Sequence, residues 1–175
     1  SRSLTISGER FSLGRNYLGL NVATLSQYVG VPCAGLLGAD VLGRFDLIFD
    51  VAGGRITVST AGLSHSGQTV RMEEFMGIPI VTANIGNRDY RMFFDTGAQI
   101  SYLKDSLAAY PSAGRVTDFY PGVGHFQTDT YNVPLSLGSV EFTLRCGILP
   151  GLLGMTLMMA NTEGIIGNAI LSDRT

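Results

Sequence analysis

The chain has 175 residues, enough for one large or two small domains with a substantial core. Apolar residues make up 45 % and charged residues 15 %. Net charge is −2, Lys104 is the single lysine and there is no Lys/Arg block, so an electrostatic case for nucleic acid is missing. The longest apolar run, residues 147–160, contains Pro150 and three glycines, and none is long enough for a bilayer-spanning helix.

Abundant Gly among many Val, Ile, Thr and Phe predicts short strands joined by tight turns, a mainly β fold with about three short helices. Residues 4–25 read as strand pieces punctuated by Gly8, Gly14 and Gly19, with Leu18, Leu20 and Val22 alternating as a half-buried strand would. An apolar segment at 33–42 leads into a helical turn at 39–44. Residues 45–59 are the clearest hairpin: Phe45, Leu47 and Phe49 alternate, and Ile56 and Val58 answer across Ala52-Gly53-Gly54. Gly62, Ser64, His65, Ser66 and Gly67 mark a lobe boundary, with residues 63–76 as linker and His65 on its surface. A second hairpin runs through 78–85 and 89–94 over Gly86-Asn87. A short helix at 104–110, stopped by Pro111, precedes a long extended pair at 116–137 that bends at Pro121-Gly122-Val123-Gly124. Another hairpin turns at Gly138-Ser139, and the chain closes with 164–171.

Cys33 and Cys146 stand alone, without a Cys-x-x-Cys pair, and read as buried free thiols rather than a disulfide. With two Cys and two widely separated His, a structural zinc site is not expected, and no motif asks for a cofactor. His125 has no Ser or Cys nucleophile context and reads as a solvated loop histidine. The Gly122-x-Gly124 pair lacks the Lys-Ser/Thr of a phosphate loop.

Chemistry concentrates in residues 90–103, YRMFFDTGAQISYL. Met92-Phe93-Phe94 delivers Asp95 from the end of a largely buried strand into Thr96-Gly97-Ala98. A carboxylate there is costly to desolvate unless it is hydrogen-bonded or shared. Thr96 supplies a hydroxyl, and Gly97 is expected to take a turn closed to residues with a Cβ. An ordinary strand-to-turn exit accounts for the tripeptide alone, because all three residues are common in turns. A repeat adds to it: Gly35-Leu-Leu-Gly-Ala-Asp-Val-Leu42 and Gly164-Ile-Ile-Gly-Asn-Ala-Ile-Leu171 share one pattern of Gly, paired aliphatics and small residues.

Together the Asp95-Thr96-Gly97-Ala98 motif and these octamers resemble the retropepsin-like aspartic proteases, over most of the chain from about Leu18 onward. The resemblance implies an acid-protease closed β-barrel lobe at 77–175, preceded at 1–62 by the back half of a related lobe. The spacing of motif to octamer, applied to Gly35, places an equivalent motif before residue 1, so the chain reads as cut at both ends. By the same resemblance Asp95 is one of two catalytic carboxylates that activate water for peptide hydrolysis. Thr96, Gly97, Ala98, Ile165, Ile166 and Gly167 support it, and Tyr120, Gly122, Val123 and Gly124 form a substrate-binding flap. Asp40, Asp46 and Asp50 are no substitutes for the second carboxylate, since none precedes Thr/Ser-Gly. The implied partners are a peptide or protein substrate and either a second copy, as a homodimer, or an upstream fragment of the same precursor. A non-catalytic peptide-binding module of the same fold is the alternative.

Overall fold

The computed structural model describes residues 2–121, 123–151 and 157–172. The N-terminal part, up to residue 62, is built from two separate hairpins and two helices. Strands β1 (Ser3–Ile6) and β2 (Glu9–Ser12) pair with each other, as do β3 (Asp46–Asp50) and β4 (Arg55–Ser59). Between them lie α1 (Val22–Val29) and α2 (Ala39–Leu42). Phe11 meets Phe45 edge-on at 5.9 Å, Glu9 pairs with Arg44, and the Ser7 hydroxyl donates to the Val58 carbonyl. Leu20, Leu25 and Phe45 are buried, but Tyr17, Leu18, Leu36, Leu37 and Ile56 stay exposed.

The strand expected at 18–22 is not formed. Leu18 takes a left-handed backbone (φ 49°) inside a turn closed by the Tyr17–Leu20 bridge. Val22 already belongs to α1. The Asn21 side chain caps that helix by accepting from the Thr24 N–H, and Gly30 at φ 77° ends it. The alternation that suggested a strand is outweighed by these two caps.

From Met72 onward the chain forms a single large sheet. Its strands are β5 (Met72–Phe75), β6 (Ile78–Ile85), β7 (Arg88–Phe94), β8 (Ser101–Leu103), β9 (Ser112–Tyr120), β10 (Gly124–Leu137), β11 (Val140–Ile148) and β12 (Gly164–Ile166). Their order is β5-β6-β7-β12-β8-β11-β10-β9, and β10 returns to β6 at Ser136–Asn84. The stretch from β6 to β10 therefore closes into a ring, with β5 and β9 continuing beyond it. The fold is mainly β, as composition indicated. Gly86 and Asn87 both sit at positive φ, which the two-residue turn between β6 and β7 demands.

Both faces of the β6–β7 ribbon are buried. Val81 and Met92 face one cluster with Leu103, Val133 and Ile166, while Ile80 and Phe93 face another with Leu157 and Ala160. This double burial explains the nearly continuous apolar run before Asp95. Two further expectations fail. Residues 72–75, assigned to the linker, form β5. Residues 104–110 form turns instead of a helix, because Leu107 is drawn into the core (1 % exposed) and Tyr110 N–H closes only a short turn onto the Leu107 carbonyl.

Candidate active site

Asp95 leaves the end of β7 where β12 runs parallel to it, pairing Gly164, Ile165 and Ile166 with Met92, Phe93 and Phe94. On its other side β12 is antiparallel to β8, with Gly164 opposite Leu103 and Ile165 opposite Tyr102. The Asp95 N–H donates to the Ile166 carbonyl at 2.9 Å, and the Asn168 N–H donates to the Ala98 carbonyl at 2.8 Å. Asp95, Thr96, Ala98, Ile165, Ile166 and Gly167 are thus brought together across about seventy residues of chain. Asp95 is half-buried.

Within the turn, the Gly97 N–H donates to Asp95 Oδ1 at 2.8 Å, which orients the carboxylate. Glycine at 97 does not serve a left-handed backbone. Its φ is not in the left-handed region, and a Cβ would instead stand 3.1 Å from Asp95 Oδ1. Glycine is more strictly required in β12 and just after it. A Cβ at Gly164 would lie 2.4 Å from the Tyr102 carbonyl oxygen, and one at Gly167 would lie 2.5 Å from that of Ile100. Backbone approaches backbone too closely at both points for any side chain.

Two side chains beyond the Asp-Thr-Gly motif support this turn. Ser101, fully buried, accepts the Gly167 N–H on its hydroxyl at 3.1 Å, and Asn168 Nδ2 donates to the Thr96 carbonyl at 3.1 Å. Tyr102, opposite Ile165 of β12, donates its hydroxyl to Asp118 on β9. Burial, then hydrogen bonding to that carboxylate, pushes the Tyr102 phenol well above its ordinary range. Asn168 was legible as part of the octamer. Ser101 and Asp118 carry no local signal, because their partners are distant in sequence.

The β9–β10 hairpin is joined to β8 by the Tyr102–Asp118 hydrogen bond. Tyr120 pairs with Gly124 at its tip, beside Pro121 and Val123, while Gly122 lies outside the described residues. Burial raises the pKa of the Tyr120 phenol, and the neighbouring Tyr17 phenol and Asp95 carboxylate push it the same way. On the Thr96 side of the turn lies a cavity of about 690 Å³, walled by Leu37, Leu42, Phe45 and Val58 of the N-terminal part and by Thr96 and Asn168.

The two octamers share a local conformation. Gly38 (φ −90°, ψ 173°) and Gly167 (φ −86°, ψ 178°) are both extended and each opens a single helical turn, Ala39–Leu42 and Asn168–Leu171. Their surroundings differ. Ile166 is fully buried beside β7, whereas Leu37, its counterpart in the first octamer, is 44 % exposed. Among the described residues, no group of three His, Cys, Asp or Glu side chains is placed to hold a metal ion. No described helix is long and apolar enough to cross a membrane. Neither a scan against protein-family models nor a search of curated proteins returns a match to this chain.

Proposed function

We propose that the chain is a retropepsin-like aspartic endopeptidase lobe, in which Asp95 is one of two carboxylates that activate water against a peptide bond. One observation carries the reading: Asp95 leaves a strand end with its N–H donated to the Ile166 carbonyl and its carboxylate accepting from the Gly97 amide, and its charge helps to raise the pKa of the Tyr120 phenol at the hairpin tip. The closed sheet, β12 lodged between β7 and β8, and the shared conformation of the two octamers support an acid-protease barrel with part of a related lobe before it. In the reaction, one ionised carboxylate takes a proton from water while a protonated one hydrogen-bonds the scissile carbonyl. The second carboxylate comes from a second copy or from an upstream fragment of the same precursor. Tyr120, Val123 and Gly124 close over an extended peptide.

A second reading has one specific observation in its favour: the sequence holds a single Asp-Thr-Gly. On that reading the cleft binds a peptide without cleaving it. A statine-type peptide, whose hydroxyl mimics the attacking water between two carboxylates, separates the two. Calorimetric binding that is lost in Asp95→Asn is expected for the endopeptidase. Equal binding of the mimic and of its des-hydroxy analogue by both proteins would favour the passive module.

A further inference from the structure

The β9–β10 hairpin is gripped on both faces, each time by one tyrosine from a different part of the fold. Phe119 and His125 are direct cross-strand partners, and so are Asp118 and Phe126 one step further from the tip. Successive pairs in a hairpin point to opposite faces, so these two pairs look in opposite directions. On one face, Tyr102 of β8 donates its hydroxyl to Asp118 and sets its ring 6.1 Å from that of Phe126. Tyr120, two residues along β9 from Asp118, shares this face. On the outer face, Tyr28 of α1 lies over the other pair, its ring centroid 4.9 Å from Phe119 and 4.4 Å from His125.

The two grips differ in kind. Tyr102 is 4 % exposed and hydrogen-bonded, in a strand paired with both β11 and β12. Tyr28 is half-buried on the last turn of an eight-residue helix, and its contacts with the hairpin are ring contacts. We propose that Tyr28 is a releasable clamp on the hairpin and Tyr102 its fixed anchor, so that the N-terminal part governs when the tip lifts. Lifting the tip toward the outer face requires Phe119 and His125 to displace Tyr28, or α1 to move with them. The effect on access to Asp95 rests on the endopeptidase reading; the clamp itself does not.

Hydrogen exchange on the full chain tests the clamp. Tyr28→Ala is expected to speed exchange at the backbone amides of residues 115–126 about fivefold to tenfold, as loss of a pair of aromatic contacts implies, with β6 and β7 unchanged. Tyr28→Phe keeps the ring and should restore the parent rates. His125→Ala removes one of the two contacts from the exposed side and should give a smaller rise in the same segment. Unchanged exchange in both Tyr28→Ala and His125→Ala would overturn the clamp. So would an equal rise throughout β6 and β7, which would mark general loosening. A second arm follows association of the statine-type peptide, expected to be faster in Tyr28→Ala at an unchanged melting temperature. If that peptide binds neither protein, the endopeptidase reading fails while the exchange result still decides the clamp.

Discussion

Two residues of the same type show how far position sets chemistry. Cys146 is fully buried on β11, and burial pushes its thiol pKa from 9.0 up to about 12; Cys33 is half-buried in the N-terminal part. A thiol reagent at pH 8 should therefore label one cysteine in the native protein and two after denaturation, as read by intact mass. Rapid native labelling of both would contradict the burial of β11. The sign of the linkage follows from the raised value. Below pH 9 the thiol is neutral in both folded and unfolded chains. Between 9 and about 12 only the unfolded chain ionises, so stability falls across that window. Asp95 differs from Cys146 in being half-buried and held by an amide donor. Asp95→Asn is nearly isosteric and should leave the melting temperature within a degree or two of the parent.

At the scale of elements, the two octamers provide a paired test. Gly164→Ala puts a methyl group 2.4 Å from a carbonyl oxygen, while a Cβ at Gly35 would meet nothing within 4 Å. Gly164→Ala should cost about 1–3 kcal/mol and lower the melting temperature by roughly 3–10 °C, and Gly35→Ala should be neutral or slightly stabilising. Equal effects at the two sites would contradict the difference in packing between the octamers. Hairpins were the most legible elements, because period-two alternation and the Gly86-Asn87 turn agree on one register. Helix α1 was misread because Leu18, Leu20 and Val22 happen to alternate, although its caps, Asn21 and Gly30, are written in the sequence. Edge strand β5 is hidden by its charges: Glu73, on the same face as Phe75, is exposed and pairs with Arg91, so Phe75 alone is partly buried. The Asp95 turn itself could be read locally. Ser101 and the Tyr102–Asp118 bond depend on strand order, which no local pattern encodes.

At the scale of the molecule, the two parts are finished to different degrees. The sheet from β5 to β12 encloses its core, whereas the N-terminal part leaves Tyr17, Leu18, Leu36 and Ile56 more than half exposed and offers two isolated two-stranded sheets. Such hairpins are marginal without further strands or packing. We expect this apolar surface to drive association, either of two copies or with another polypeptide. Sedimentation at micromolar concentration should show species heavier than the 18.7 kDa chain, diminishing on dilution. A monodisperse monomer throughout would argue against a second copy as the source of the second carboxylate.

Peptide hydrolysis measured across pH 3–8, in the parent and in Asp95→Asn, decides whether Asp95 is half of a catalytic pair. Two carboxyl groups a hydrogen bond apart retain one proton between them, so activity should peak on the acid side and fall as that proton is lost. Cleavage with that profile is expected, blocked by the statine-type peptide and abolished in a folded Asp95→Asn. Cleavage at the parent rate in Asp95→Asn, or a rate that keeps rising through neutral pH, would contradict that pairing.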